Sequence, residues 1–254
     1  MHLNPALVCN MKNLLTLFLL LLACSSFGQR TMFGGNNNFV APPPPPFQAP
    51  PITTGEVTTG LLLYLNAGNT SSYSGNGNTW YDLSGNNNHG TLRANGSGAL
   101  PIFANGSFAF NGSSSYVSIE SSVIPNTGSF TVATWAKMPA GRYAELINTR
   151  NASTVTGFLL TSTGSDIRAQ INNPSVHQFV YSGTHSVIQD NTWHLITITV
   201  DVATRSMKAY VDNVYISSNT FPAGSLVGQE YFSIGWDYAW NGQPFYLGNV
   251  LLLM

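Results

Sequence analysis

The sequence predicts an all-β chain whose body is a two-sheet antiparallel β-sandwich or a barrel. Three observations carry this. Runs of four to eight apolar or β-branched residues recur from about Glu56 to the end, separated by Gly and Asn turns. Asp212-Asn213 lies between two such runs and suits the positive φ values of a type I′ turn, with Ala209, Val211, Val214 and Ile216 around it. No amphipathic helical stretch of useful length competes with these runs.

The chain has 254 residues, enough for one substantial domain with appendages, since all-β domains of roughly 200 residues commonly form one unit. Its first element, residues 1–28, reads as a signal peptide. From Met11, which reads as the true start, "MKNLLTLFLLLLACSSFGQR" offers Lys12, an apolar run from Leu14 to Ala23, then small and polar residues. The run is too short to span a bilayer comfortably. Ser26-Phe27-Gly28 suits ordinary signal peptidase and would release a chain beginning at Gln29. Alternatively, "LLAC" at Leu21 to Cys24 resembles a bacterial lipobox, with Cys24 carrying lipid, the one route to a membrane. Either cleavage exports the protein, to the medium or to the cell surface.

Cys9 and Cys24 are the only cysteines and both lie in the leader, so the exported body has no disulfide, no thiol nucleophile and no Cys-based zinc site. Charged residues make up only 7% and the formal net charge is −1. No basic stripe exists to neutralise a phosphate backbone or an anionic membrane, which excludes nucleic acid as a partner.

Residues 29–55 form a proline-rich, low-complexity spacer. Its five successive prolines favour extended polyproline II and hold the next domain away from its anchor or neighbours. The domain proper runs over 56–254. "GLLLYLNA", "SFAFNGSSSYVSIE", "SFTVATWAKM", "AELINTR", "GFLLTST", "DIRAQIN", "WHLITITVDV", "SMKAYVDN", "VYISSN", "YFSIGW" and "FYLGNVLLLM" read as its strands. In the third, Phe130, Val132, Thr134 and Ala136 alternate with Thr131, Ala133, Trp135 and Lys137; both faces are largely apolar, which predicts a central strand.

The order of "WYDLSGNNNHGTL", "FAFNGSSSYVSI", "FTVATWAKM", "NTWHLITITVDVATRSMKAYVDN", "FSIGW" and "FYLGNVLLLM" resembles the laminin G-like jelly-roll domains of the concanavalin A-like lectin/glucanase superfamily. The resemblance covers nearly everything from Gly60 onward. It implies a two-sheet antiparallel jelly roll whose members bind glycans, proteins or calcium. Relatives often carry Asp where this chain has Asn66, and acidic residues where it has Leu251 and Leu252. If those acids hold calcium in relatives, this chain lacks some of them. The sequence stops at Met254, inside what reads as the closing strand, so the domain reads as truncated there; an unfinished strand would leave an unpaired edge.

Two stretches carry candidate sites, each with two readings. In "DLSGNNNHG", Asp82 with oxygens from Asn86, Asn87 or Asn88 would offer Ca²⁺ hard ligands. The same residues are also good turn formers that bond their own backbone. In "GWDYAWNGQPFY", Trp236, Tyr238 and Trp240 offer rings to the C–H faces of a sugar, while Asp237, Asn241 and Gln243 suit its hydroxyls. The alternative is that Trp236 ends a core strand and Trp240 covers an apolar edge. Trp193-His194 opens a strand, where the family places a similar pair, and His194 reads as a hydrogen-bonded structural residue. His89, His177 and His185 are placed in loops without zinc spacing.

For catalysis, a retaining glycosidase needs two carboxyls about 5 Å apart. The superfamily's glucanases place them along one strand as Glu-x-Asp-x-(x)-Glu, and no such run occurs. Glu120, Glu145 and Glu230 stand alone, and no Gly-x-Ser-x-Gly elbow exists. The sequence therefore predicts no enzyme but a secreted or surface-tethered module that binds extracellular carbohydrate, with calcium as a candidate cofactor. The alternative is an adhesive module binding a surface protein or its own copies. The oligomeric state stays open.

Overall fold

The computed structural model describes residues 59–141, 143–150, 156–163, 167–173, 176–181, 188–223, 231–236 and 247–253. All lie within 45–254, a compact unit distinct from residues 1–44. The expected signal peptide and spacer fall outside the described residues.

The described residues form fifteen strands: β1 (Thr79–Trp80), β2 (Gly90–Ala94), β3 (Ile102–Ala104), β4 (Ser107–Asn111), β5 (Ser115–Ile119), β6 (Phe130–Lys137), β7 (Tyr143–Asn148), β8 (Gly157–Thr163), β9 (Ile167–Asn173), β10 (Val176–Tyr181), β11 (Trp193–Asp201), β12 (Ser206–Val211), β13 (Val214–Thr220), β14 (Phe232–Ile234) and β15 (Leu247–Leu253). They build an eight-stranded sheet in the order β1-β2-β5-β14-β7-β8-β9-β10 and a seven-stranded sheet in the order β13-β12-β11-β6-β15-β4-β3. The two-sheet antiparallel sandwich is the fold the sequence predicts.

Alternation is what makes two layers. In β11, His194, Ile196, Ile198 and Val200 are buried, and the residues between them are half-buried. Such inward faces meet in one core, where Trp80 and Phe108 pack edge to face at 4.6 Å and Tyr73 packs on Phe108 at 4.7 Å. β6 is central, between β11 and β15, as its two apolar faces imply.

Turn chemistry places the strands. Asp212 and Asn213 take φ of 50° and 65°, so β12 and β13 form the expected hairpin. "SFAFNGSSSYVSIE" is not one run but two strands in different sheets. Asn111 Oδ1 accepts the backbone N–H of Ser113, Ser114 and Ser115 and turns the chain from one layer to the other.

Three expectations change. "GLLLYLNA" forms no ladder, although Leu63 and Leu65 are fully buried in the core. Its backbone is held by the carboxylate of Asp82, the amide of Leu83 and the hydroxyl of Ser72 rather than by a strand. β15 pairs on both sides, with β4 and β6, so the last strand is interior rather than an edge. His177 belongs to a strand, β10, which the sequence reading placed in a loop.

Phe108→Ala is expected to lower unfolding free energy by about 3–5 kcal/mol, as full loss of a buried ring does. Gly157→Ala should also destabilise, because Gly157 has φ of +128° and an added Cβ would sit 2.8 Å from the Thr149 carbonyl oxygen. Urea melts followed by tryptophan fluorescence would show an unchanged midpoint if either packing account is wrong.

Candidate functional site

The Asp82 loop is closed on itself. Oδ1 accepts the N–H of Tyr64 at 2.8 Å and of Ser84 at 2.9 Å, while Oδ2 accepts the Ser84 hydroxyl at 2.7 Å and the N–H of Asn88 at 3.0 Å. A carboxylate has about four lone-pair sites, and these bonds use them all. Asn86 donates to the Leu61 carbonyl, and Asn88 donates to that of Leu62 and accepts the Ser121 hydroxyl. Asn87 takes φ of 59°, the left-handed turn conformation. The turn reading of this stretch accounts for every one of these bonds. Among the described residues no three His, Cys, Asp or Glu gather as a metal group.

His194 is a clamp between elements. Its Nδ1 lies 2.7 Å from Asp212 Oδ2 at the β12–β13 turn, and Nε2 lies 3.2 Å from Asp190 Oδ1 and 3.0 Å from Thr192 Oγ1. Asp212 Oδ1 also accepts the Leu195 N–H. Burial pushes the imidazole down, but hydrogen bonds and charge from Asp212 and Asp190 more than offset it and hold the group above its ordinary value. Asp190 is held below its ordinary value, chiefly by the Thr192 hydroxyl.

A different cluster lies on the face of the eight-stranded sheet that points away from the core. Register defines it. Ser118, Ser233, Asn148, Leu159 and Gln170 are successive cross-strand neighbours on β5, β14, β7, β8 and β9. Glu145, Thr161 and Arg168 form a second row on β7, β8 and β9. Cross-strand neighbours share a face, and the residues between them, Ile147, Phe158, Leu160, Ala169, Ile171, Phe232 and Ile234, all belong to the core. The polar rows therefore face outward, yet Glu145, Asn148, Thr161, Gln170 and Ser233 are buried. Arg168 is half-buried.

Arg150, just after β7, is buried and its N–H donates to Asn148 Oδ1 at 2.6 Å. The Ser233 hydroxyl donates to the Trp236 carbonyl at 2.5 Å, and the Trp236 ring lies 4.4 Å from that of Tyr116 on the same outer face. Burial pushes the Glu145 carboxyl up to about 7, against the opposing charges of Arg150 and Arg168. Among the described residues, Glu145 Oε2 and Asn148 Nδ2 are buried without a hydrogen-bond partner.

Glu145 thus does not stand alone, and the reason it seemed to is a β-bulge. Glu145 and Asn148 are three apart, which in a regular strand puts them on opposite faces; the register shift between Glu145 and Ile147 brings both outward. Arg168 and Gln170 were legible in "IRAQI", where they alternate with core residues. Of the aromatic candidates, Trp236 is half-buried beside Tyr116 rather than in the core. Asp237, Tyr238, Trp240, Asn241 and Gln243 lie outside the described residues, as do His185 and Glu230.

The chain is thus a two-sheet antiparallel sandwich with polar rows on the outer side of its eight-stranded sheet. The profile of a laminin G-like family, described as the concanavalin A-like lectin/glucanases superfamily, matches residues 111–250, and the chain belongs to this family. No curated protein matches it. Among solved structures it is similar to botulinum neurotoxin type C, described as depending on interaction with two ganglioside molecules for cell invasion, with TM-score 0.54, 14% identity, and 76% of this chain and 48% of that one covered. The binding domain of botulinum neurotoxin DC in complex with rat synaptotagmin II gives 0.55, 15%, 78% and 47%. The same domain in complex with SialylT gives 0.53, 16%, 77% and 46%. The chain spans about half the length of these proteins, and at such identity the likeness concerns the fold.

Asp82→Ala should lower the melting temperature, with a cost of about 1–3 kcal/mol for each donor it leaves buried; calcium or EDTA should not move the melting temperature of the unaltered protein. A calcium-dependent shift lost in Asp82→Ala would overturn the turn assignment. Raised in the fold, His194 contributes stability in full below its unfolded value of about 6.5, and that contribution fades as pH rises through the folded value. Asp190, depressed in the fold, contributes above about 4 and fades as pH falls through its folded value. Melting should therefore come at higher temperature near about pH 6 than near about pH 8.5; Glu145, also raised in the fold, acts in the same direction, so His194→Gln should reduce that difference by its own share without abolishing it.

Proposed function

We propose that this chain is a secreted or surface-tethered, non-catalytic module that recognises extracellular carbohydrate on the outer face of its eight-stranded sheet. The observation that carries this is the pair of polar rows, Asn148 with Gln170 and Glu145 with Arg168, flanked by the Trp236–Tyr116 pair. Amide and guanidinium groups suit sugar hydroxyls, and a ring face suits sugar C–H groups. The row from Ser118 to Gln170 crosses four inter-strand spacings, about 19 Å. Membership of the family and the fold shared with toxin binding domains support a binding role. The leader supports export. The charges acting on Glu145 are both cationic, which favours binding over a two-carboxyl hydrolysis.

A second reading, adhesion to protein or to another copy, has its own observation. β13 lies at the end of the seven-stranded sheet, "VYISSNT" contains neither charge nor proline, and Val214 and Tyr215 are exposed. Edge strands without charge or proline invite pairing, although a bulge at Ile216 interrupts this one. A strict monomer in size-exclusion chromatography at high concentration would count against it.

A glycan array probed with the full exported chain, in calcium and again in EDTA, tests the first reading. Specific binding is expected, with Trp236→Ala weakening it at least about tenfold, in line with the few kcal/mol of a stacked ring. Loss in EDTA would assign a metal to recognition, and persistence would assign it to side chains alone. A folded protein that binds no glycan in either buffer would sink the reading.

A further inference from the structure

We propose that the carbohydrate recognised on this face is a neutral sugar presenting two adjacent hydroxyls, and that Arg93 and Glu120 hold that pair. The inference rests on the carbohydrate-binding reading and goes further by naming the ligand's chemistry and the residues that select it.

Both residues lie on the outer side of the eight-stranded sheet. The core takes Leu92 from β2, and Val117 and Ile119 from β5. Arg93, Tyr116 and Ser118 therefore face outward, and Glu120 continues the β5 alternation just past the strand. Arg93 is the cross-strand neighbour of Tyr116, whose ring packs on Trp236, so the Arg93–Glu120 pair borders the aromatic flank of the site. Unlike the buried Glu145 and Asn148, the pair is open to solvent, with side chains 43% and 73% exposed.

Arg93 Nε donates to Ser118 Oγ at 3.1 Å and Nη2 donates to Glu120 Oε1 at 2.7 Å. Two bonds from one planar group fix its orientation. A guanidinium has five N–H donors, so three remain, and Glu120 keeps its second oxygen as an acceptor. Each sugar hydroxyl both donates and accepts, so two on adjacent carbons need a donor and an acceptor side by side. The Arg93–Glu120 pair supplies that combination. A lone guanidinium would favour an anion, whose two oxygens match its fork. Here the Glu120 carboxylate takes that place and repels a second negative charge.

The experiment is a binding panel on the full exported chain. It contains neutral oligosaccharides, their deoxy analogues with one hydroxyl removed at a time, and their uronic acid counterparts. At least one neutral sugar should bind, and removal of either of two neighbouring hydroxyls should weaken it about tenfold or more. Arg93→Gln and Glu120→Gln should each weaken the parent sugar about tenfold and reduce the penalty at those two hydroxyls to about twofold or less, a coupling that a purely structural pair would not show. Their melting temperatures should stay near that of the unaltered chain, because exposed ion pairs add little to stability. Tighter binding of a uronic acid than of its neutral counterpart overturns the inference and needs no variant to be seen. Sugar binding with deoxy penalties unchanged in both variants also overturns it; either result leaves carbohydrate binding standing. No binding to any sugar by the folded chain removes both readings.

Discussion

The eight-stranded sheet turns different chemistry to its two faces, and the two obey different rules. Toward the core it presents Ile147, Phe158, Leu160, Ala169, Ile171, Phe232 and Ile234, whose removal from water stabilises the sandwich. On the other side it presents Glu145, Asn148, Thr161, Gln170 and Ser233, also removed from water. Burying polar groups costs free energy unless each finds a partner. Glu145 Oε2 and Asn148 Nδ2 do not, among the described residues. A face chosen for stability alone would carry valine and isoleucine there, so the outer face is where the fold gives up stability for something else.

The rest of the molecule uses its few charges differently. Asp82 binds four donors and ties the unladdered segment at Leu63 and Leu65 to the sandwich. Asp201 accepts the N–H groups of Ala203 and Thr204 and the hydroxyl of Ser129, closing the turn between β11 and β12. Asp190 and Asp212 flank His194 and pin the start of β11 to the next hairpin. Each of these carboxylates is consumed by a turn, as expected in a chain where only 7% of residues are charged and strand ends must be fixed without disulfides. Against that background Glu145 differs, since it caps nothing.

How much of this was legible in the sequence depends on parity. Where strands are regular, as in β6 and β11, the alternation of apolar residues gave faces and neighbours correctly, and Asp212-Asn213 gave the hairpin. Short strands such as β1 and β3, with two and three residues, carry too little pattern to be read. The opening apolar run was misassigned because hydrophobicity reports burial, and Leu63 and Leu65 are buried, whereas the ladder depends on partners that hydrophobicity does not specify. In "DLSGNNNHG" the sequence named the turn-forming residues, and the structure adds the partners of Asp82. The sequence could not show that Tyr64, Ser84 and Asn88 would bring their N–H groups to the Asp82 carboxylate.

The site itself escaped for one local reason with a wider meaning. A bulged strand breaks the period-two rule on which every sequence assignment of faces depends. By shifting register after Glu145, β7 keeps Leu146 and Ile147 both buried in the core while turning Glu145 and Asn148 to the same outer side. A regular strand would place one of the two against the core, where neither a carboxyl nor an amide could be satisfied. The bulge therefore lets one strand serve a continuous apolar core and a concentrated polar face together. Because the family likeness concerns the sandwich, and this irregularity lies on top of it, the particular chemistry of the chain is to be sought at the bulge rather than in the fold it shares.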